Sequence, residues 1–112
     1  MSLKINRIAS TILKEVSLIL RTEVKDQNLS LVNVTACDLS NDLSVAKIYY
    51  TVFDEEAKKE VADSLKKARG FIRTELSQRI QIRHTPELRF IYDESVATGE
   101  RIEEIIEELQ NK

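Results

Sequence analysis

The chemistry this chain can offer is concentrated in the stretch LKKARGFIRTEL, residues 65–76, where Lys66, Lys67, Arg69 and Arg73 crowd around Gly70. Ammonium groups are compact point charges and guanidinium groups are planar forks, and both suit phosphate oxygens. A glycine inside a helical pattern costs about 0.5–1 kcal/mol relative to alanine, and in exchange it lets backbone approach a ligand closely. Arg83 and Arg89 carry the positive charge further along the chain. Near the N-terminus, Arg7, Lys14 and Arg21 recur every seven residues and so align on one outer helix face. That row reads as a phosphate-facing ridge or as a solvated helix face, the second being the commoner use of such a pattern.

Covalent and metal chemistry have far less to work with. Cys37 is the only cysteine and His84 the only histidine, so neither a thiolate cluster nor a zinc set can form. A Cys37–His84 nucleophilic pair is conceivable, but Cys37 lies in the strand-like run NVTACDL and reads as a buried, inert thiol. Asp93 and Glu94 are better read as charge at a strand end than as metal ligands. Two glycines cannot supply a P-loop or a dinucleotide fingerprint. The expectation is a non-enzymatic protein with no catalytic residue, metal, cofactor or small-molecule substrate.

Charge is unevenly spread. The formal net charge is −2, yet residues 64–92 hold seven cations against Glu75 and Glu87, a net of +5. Residues 93–112 hold Arg101 and Lys112 against seven carboxylates, a net of −5. A polyanion meets the local field first, so the basic pole points to nucleic acid even though the average does not.

The elements that must position these groups follow from periodicity. Ile5, Ile8, Ala9, Ile12, Leu13, Val16, Ile19 and Leu20 recur in steps of three and four, predicting an amphipathic helix over 4–24. Residues 30–38 and 44–53 are rich in β-branched and aromatic types and predict an antiparallel hairpin, turning at Ser40, Asn41 and Asp42. Neither face of the second strand is fully polar, so helices should cover one side and leave the other partly open.

Asp54 suits an N-cap for a helix whose inner stripe is Ala57, Val61, Leu65 and Ala68. The stripe resumes through Ile72, Leu76 and Ile80, while Lys66, Arg69, Arg73 and Ser77 share a neighbouring sector with Gly70. Arg79 falls among the apolar positions; either the helix changes phase near Gly70 or it is ending there. Phe71 reads as core, while Tyr49 and Phe53 are candidates to stack on bases. Pro86 should open a third strand through Leu88, Phe90 and Tyr92, and Ile102, Ile105, Ile106 and Leu109 predict a last short helix over about 98–110. The expected architecture is one α+β domain over residues 1–112, with 95–112 as a short C-terminal helix or tail. Its three-stranded sheet would carry helices on one face, in the order helix, strand, strand, helix, kink, helix, strand. No stretch approaches a membrane span, and MSLKINRIAS lacks a signal-peptide apolar block, so a cytoplasmic protein is expected, and a monomer is the default because no surplus apolar stripe is evident.

Over nearly its full length the chain resembles the ribosome-binding factor A family of bacterial small-subunit assembly factors. The residues that carry this are RIASTILKEVSLILR, LVNVTACDLSNDLSVAKIYYTVF, LKKARGFIRTELSQRIQIRHTPELRFIYDES and RIEEIIEEL. Most specific are the S-x-D-L-x-x-A-K run from Ser40 to Lys47 and the R-H-T-P-E-L-R-F run from Arg83 to Phe90. The resemblance implies a type II KH-like fold in which a kink at Ala68-Arg69-Gly70 stands in for a GXXG loop. It further implies a factor that binds the free 30S subunit and 16S rRNA, assists late rRNA maturation and processing, and supports growth in the cold. The chain stops soon after its last predicted helix and lacks the longer tail some members carry. On this reading Lys66, Lys67, Arg69 and Arg73 contact phosphates and Gly70 permits close approach. Arg83 and Arg89 extend the surface, and Arg7 and Lys14 form a second ridge. The alternatives are a general KH-like RNA-binding module and a protein-interaction module whose basic pole meets an acidic partner.

Overall fold

The structure, a computed structural model, describes residues 3–94. Helix α1 spans Leu3–Thr22 and buries Ala9, Ile12, Val16, Ile19 and Leu20, the stripe its periodicity predicts. A single 3₁₀ turn, Gln27–Leu31, follows, opened by the Asp26 carboxylate accepting from the Asn28 N–H. Strands β1 (Val32–Leu39) and β2 (Val45–Val52) form the antiparallel hairpin. After a 3₁₀ turn at Glu55–Ala57 capped by Asp54, helix α2 runs from Lys58 to Arg79. Strand β3, Glu87–Tyr92, then pairs parallel to β2, which makes β2 the central strand. The result is the expected α+β, KH-like arrangement of a three-stranded sheet with helices on one face. Ser30 and Leu31 belong to the 3₁₀ turn and not to the strand the sequence predicts there. The predicted helix over 98–110 lies outside the described residues.

A β-bulge sets the inner face of β1. Val32 and Val34 oppose Val52 and Tyr50, Thr35 is the extra residue, and Cys37 and Leu39 then oppose Ile48 and Ala46. Alternation without the bulge would turn Asp38 toward the core; with it, Asp38 is exposed opposite Lys47. On the outer face, the Thr35 hydroxyl donates to the Asp93 carboxylate at 2.8 Å, spanning β2 from the first strand to the end of the third. Thr51 beneath is 7% exposed, so this face is only partly open.

The hairpin tip combines a local backbone penalty with a cluster of polar contacts. Leu43 has φ 64°, a left-handed conformation costing a leucine about 1–2 kcal/mol. Its side chain packs against the core, and the Asp42 carboxylate accepts from the Ser40 and Ser44 hydroxyls and the Ser44 N–H. Those donors, Ser44 first, lower the Asp42 pKa from 3.8 to about 2. A depressed carboxylate pKa stabilises the fold above the unfolded value and loses that contribution as pH falls through the folded one. The melting-temperature difference between wild type and Asp42→Ala should therefore be largest above about pH 5 and shrink progressively as pH falls toward about 1; a pH-independent difference would contradict this.

The structure sharpens two expectations for α2. The helix assignment is continuous through Gly70, so both halves of the expected helix–kink–helix lie in one 22-residue helix. Burial of Val61, Leu65, Ile72 and Leu76 along one stripe outweighs the propensity cost of one glycine. Nothing lies within 4 Å of where a Gly70 Cβ would sit, and its φ is not positive. Gly70→Ala should therefore raise stability by about 0.5–1 kcal/mol, seen as a higher midpoint in thermal or urea unfolding. A lower midpoint would mean that the helix needs the glycine. Of the two alternatives for Arg79, the helix ends there: Arg79 is the last residue of α2, and its guanidinium reaches Glu15 at 3.4 Å and Glu23 at 3.2 Å, tying the last turn of α2 to α1.

A basic flank and aromatic cleft along the second helix

At 100° per residue, Arg69, Arg73, Lys66 and Ser77 follow the buried stripe of α2 around one side, and Gly70 and Lys67 come next toward the crest. This flank looks toward β3, because Lys66 and Arg69 line a cleft with Ala62, Leu65, Tyr50 and Phe90. The cleft encloses about 220 Å³. Its floor is aromatic and apolar and its mouth carries two cations. Tyr50 is fixed from beneath by an edge-on contact with Tyr92, ring centroids 5.6 Å apart, and the Lys58 ammonium caps Tyr92 at 4.0 Å from its ring centre. Burial, with a smaller effect of Tyr92, raises the Tyr50 pKa and keeps its phenol protonated.

Among the described residues, Lys66, Lys67 and Arg69 are exposed and make no hydrogen bond or ion pair. Such unneutralised cations beside an aromatic floor form a surface suited to a polyanion that also carries planar rings. Ala68 is half-buried on the inner side of the same turn, and Gly70 is exposed with open space above it.

Arg73 does two jobs. Its Nε donates to the Pro86 carbonyl at 3.1 Å and its Nη2 to the Thr85 carbonyl at 2.7 Å, so it pins the segment that leads into β3. An ammonium cannot reproduce this fork. Arg73→Lys should cost about 1–3 kcal/mol of stability and speed amide hydrogen exchange at residues 87–89. Exchange rates unchanged from wild type would show that the fork is not what holds the segment.

The remaining predicted residues divide. Arg83 lines a notch together with Arg73 and so joins the α2 flank. Arg89 does not: it lies on the sheet face away from the helices, where it pairs with Glu87 at 3.1 Å. Arg7 and Lys14 are exposed on the outer face of α1, opposite its buried stripe and apart from the α2 flank. Phe71, expected in the core, is 47% exposed, because it falls on the other side of the buried stripe from Arg69 and Arg73. Phe53 is 84% exposed and Tyr49 half-buried on the outer sheet face. The cleft aromatics, Tyr50 and Phe90, were legible only as inward strand positions; the signal pairing them with Lys66 and Arg69 is the parallel register of Ile48 with Phe90.

Burial, with a smaller effect of Asp38, raises the Cys37 pKa to about 11, so the thiol is protonated and unsuited to nucleophilic attack at neutral pH. Among the described residues no three His, Cys, Asp or Glu side chains gather closely enough to hold a metal ion. Nor is any described helix long and apolar enough to cross a membrane.

A family model described as ribosome-binding factor A matches residues 4–106. A curated ribosome-binding factor A from Vesicomyosocius okutanii subsp. Calyptogena okutanii (strain HA) is 45% identical over 108 residues, covering 96% of this chain and 94% of that protein. The crystal structure of ribosome-binding factor A from Thermus thermophilus superimposes with TM-score 0.71 at 25% identity, over 79% of this chain and 94% of that one. A Thermus thermophilus ribosome-binding factor A homology model fitted into a cryo-electron-microscopy map of a 30S complex gives TM-score 0.62 at 26% identity. It covers 74% of this chain and 88% of that one.

Proposed function

The chain belongs to the ribosome-binding factor A family, and from that premise we propose that it binds the free 30S subunit through 16S rRNA and assists late rRNA maturation and processing. It acts as one RNA-binding domain, a cytoplasmic monomer, with particular use in the cold. The observation that carries the reading is the row Lys66, Lys67 and Arg69, unpartnered among the described residues, beside the Tyr50–Phe90 cleft on a chain whose net charge is −2. A basic pole of that kind on an otherwise acidic protein is what a phosphate-contacting surface needs. The relative fitted into a 30S complex supports the choice of partner.

On this reading Lys66, Lys67, Arg69, Arg73 and Arg83 contact phosphates, Ala68 and Gly70 form the central turn where Gly70 permits close approach, and the cleft takes a base. Arg89, Arg7 and Lys14 form outlying contacts on other faces. The factor works by binding energy alone, favouring one rRNA arrangement over its competitors without making or cutting a bond. Five neutralised phosphates would give log affinity falling with log salt at a slope of about −3.5, with the single-strand coefficient.

Sedimentation of the tagged protein with purified ribosomal particles tests the proposal. Co-migration with free small subunits and not with assembled ribosomes is expected, with loss of the complex on ribonuclease treatment. Absence from the small-subunit fraction would overturn it, and a complex resistant to ribonuclease would favour a protein partner.

A further inference from the structure

We propose that the notch between the second half of α2 and the segment leading into β3 is a phosphate-binding site, holding one phosphate group between the guanidiniums of Arg73 and Arg83. The proposal rests on the RNA-binding reading of α2 and adds to it a defined anchoring point. The notch encloses about 220 Å³ and is lined by Arg73, Thr74, Ser77, Arg83, His84 and Thr85. Among the described residues no carboxylate lines it; Glu87, close by in sequence, turns to the other face of the sheet and pairs with Arg89.

The donors are unequally prepared. Arg73 commits two of its five N–H groups to the Pro86 and Thr85 carbonyls, which fixes the plane of its guanidinium and leaves three N–H groups for a ligand. A guanidinium already held in place gives up little side-chain entropy when it binds. Arg83 and His84 are exposed and, among the described residues, make no hydrogen bond or ion pair. The Thr74 and Ser77 hydroxyls donate to the Gly70 and Thr74 carbonyls, so their protons are occupied. The anion is therefore held by Arg73, Arg83 and the His84 ring N–H. Two arginines lining one notch that no described carboxylate lines fit the spread negative charge of a phosphate.

Its position gives the notch a role. Arg73 lies one helical turn, about 6 Å, beyond Arg69 at the mouth of the aromatic cleft. A strand that places a base in the cleft and runs along α2 brings a neighbouring phosphate to the notch. The shared chemistry is a phosphate oxygen, supplied by a backbone diester or by a terminal monoester.

Nuclear magnetic resonance of the arginine Nε–H groups in the full chain provides the test. Inorganic phosphate, compared with chloride at equal ionic strength, should shift the Arg73 and Arg83 signals and saturate. A dinucleotide diester and a 5′-phosphorylated mononucleotide, titrated separately, then show which source the site prefers. Arg83→Ala should keep the wild-type melting temperature and weaken binding of a short single-stranded RNA by about 5–10-fold. Shifts no larger with phosphate than with chloride, or Arg83→Ala binding RNA like wild type, would overturn the notch. If Lys66→Glu with Arg69→Glu abolishes RNA binding while Arg83→Ala does not weaken it, the notch fails and the α2 reading stands. If neither variant weakens RNA binding, both fail.

Discussion

Lys66→Glu combined with Arg69→Glu is expected to weaken small-subunit binding by about 100-fold or more while leaving the melting temperature near the wild-type value. Each cation in contact with a phosphate is worth about 1.5–3 kcal/mol. Losing two at the lower figure is about 3 kcal/mol, or about two decades in affinity, and the new carboxylates add repulsion. The fold should not notice, because both side chains are exposed and neither is paired among the described residues. Arg73 would be a poor choice for the same experiment: its reversal would release Thr85 and Pro86 and confuse lost contact with lost structure. Sedimentation with free subunits and a thermal melt on the same sample decide the matter. Undiminished binding in a folded double variant would remove the α2 flank from the interface.

The converse result is expected one turn along the helix. Ile72→Ala should cost about 2–5 kcal/mol of stability and leave subunit affinity unchanged at temperatures where the variant is folded. Ile72 is fully buried within the stripe that joins α2 to the rest of the core, and its truncation opens a cavity in a close-packed site. A domain of this size has about 5–15 kcal/mol in total, so the midpoint of thermal unfolding should fall by about 10 °C or more. An affinity loss in the folded variant, measured well below that midpoint, would show that the core stripe and the binding flank are coupled. Together the two variants separate holding the flank in place from using it.

The parts of the molecule written in local patterns were legible in the sequence. The α1 stripe, the hairpin and the start of β3 after Pro86 all follow from spacing and turn chemistry within a few residues. What could not be read depends on partners distant in the chain. Arg79 looked out of phase until Glu15 and Glu23, 64 and 56 residues earlier, proved to be its counter-ions. Arg73 looked like another surface cation, although two of its donors belong to carbonyls 12 and 13 residues on. The bulge at Thr35 left no mark that periodicity could detect, since Thr35 and Ala36 suit a strand equally well. At Gly70 local propensity and burial pull against each other: propensity argues for a break, and burial on both sides of it keeps the helix assignment continuous. For the candidate site, the cluster on α2 was legible as charge; its aromatic floor and its separation from Arg89, Arg7 and Lys14 required the sheet.

The parallel pairing of β2 with β3 also has a consequence in time. The hairpin joins strands that are neighbours in sequence, whereas β3 reaches β2 only after all of α2 has been traversed. Contacts of such long sequence separation form late, because the intervening loop must be closed before they contribute. During synthesis, a chain extended only to Arg79 already carries Lys66, Arg69 and Arg73 but has neither the carbonyls that orient Arg73 nor the Phe90 wall of the cleft. On the proposed reading, the oriented Arg73 and the closed cleft thus arrive only with β3, so the complete surface forms after the charge it carries.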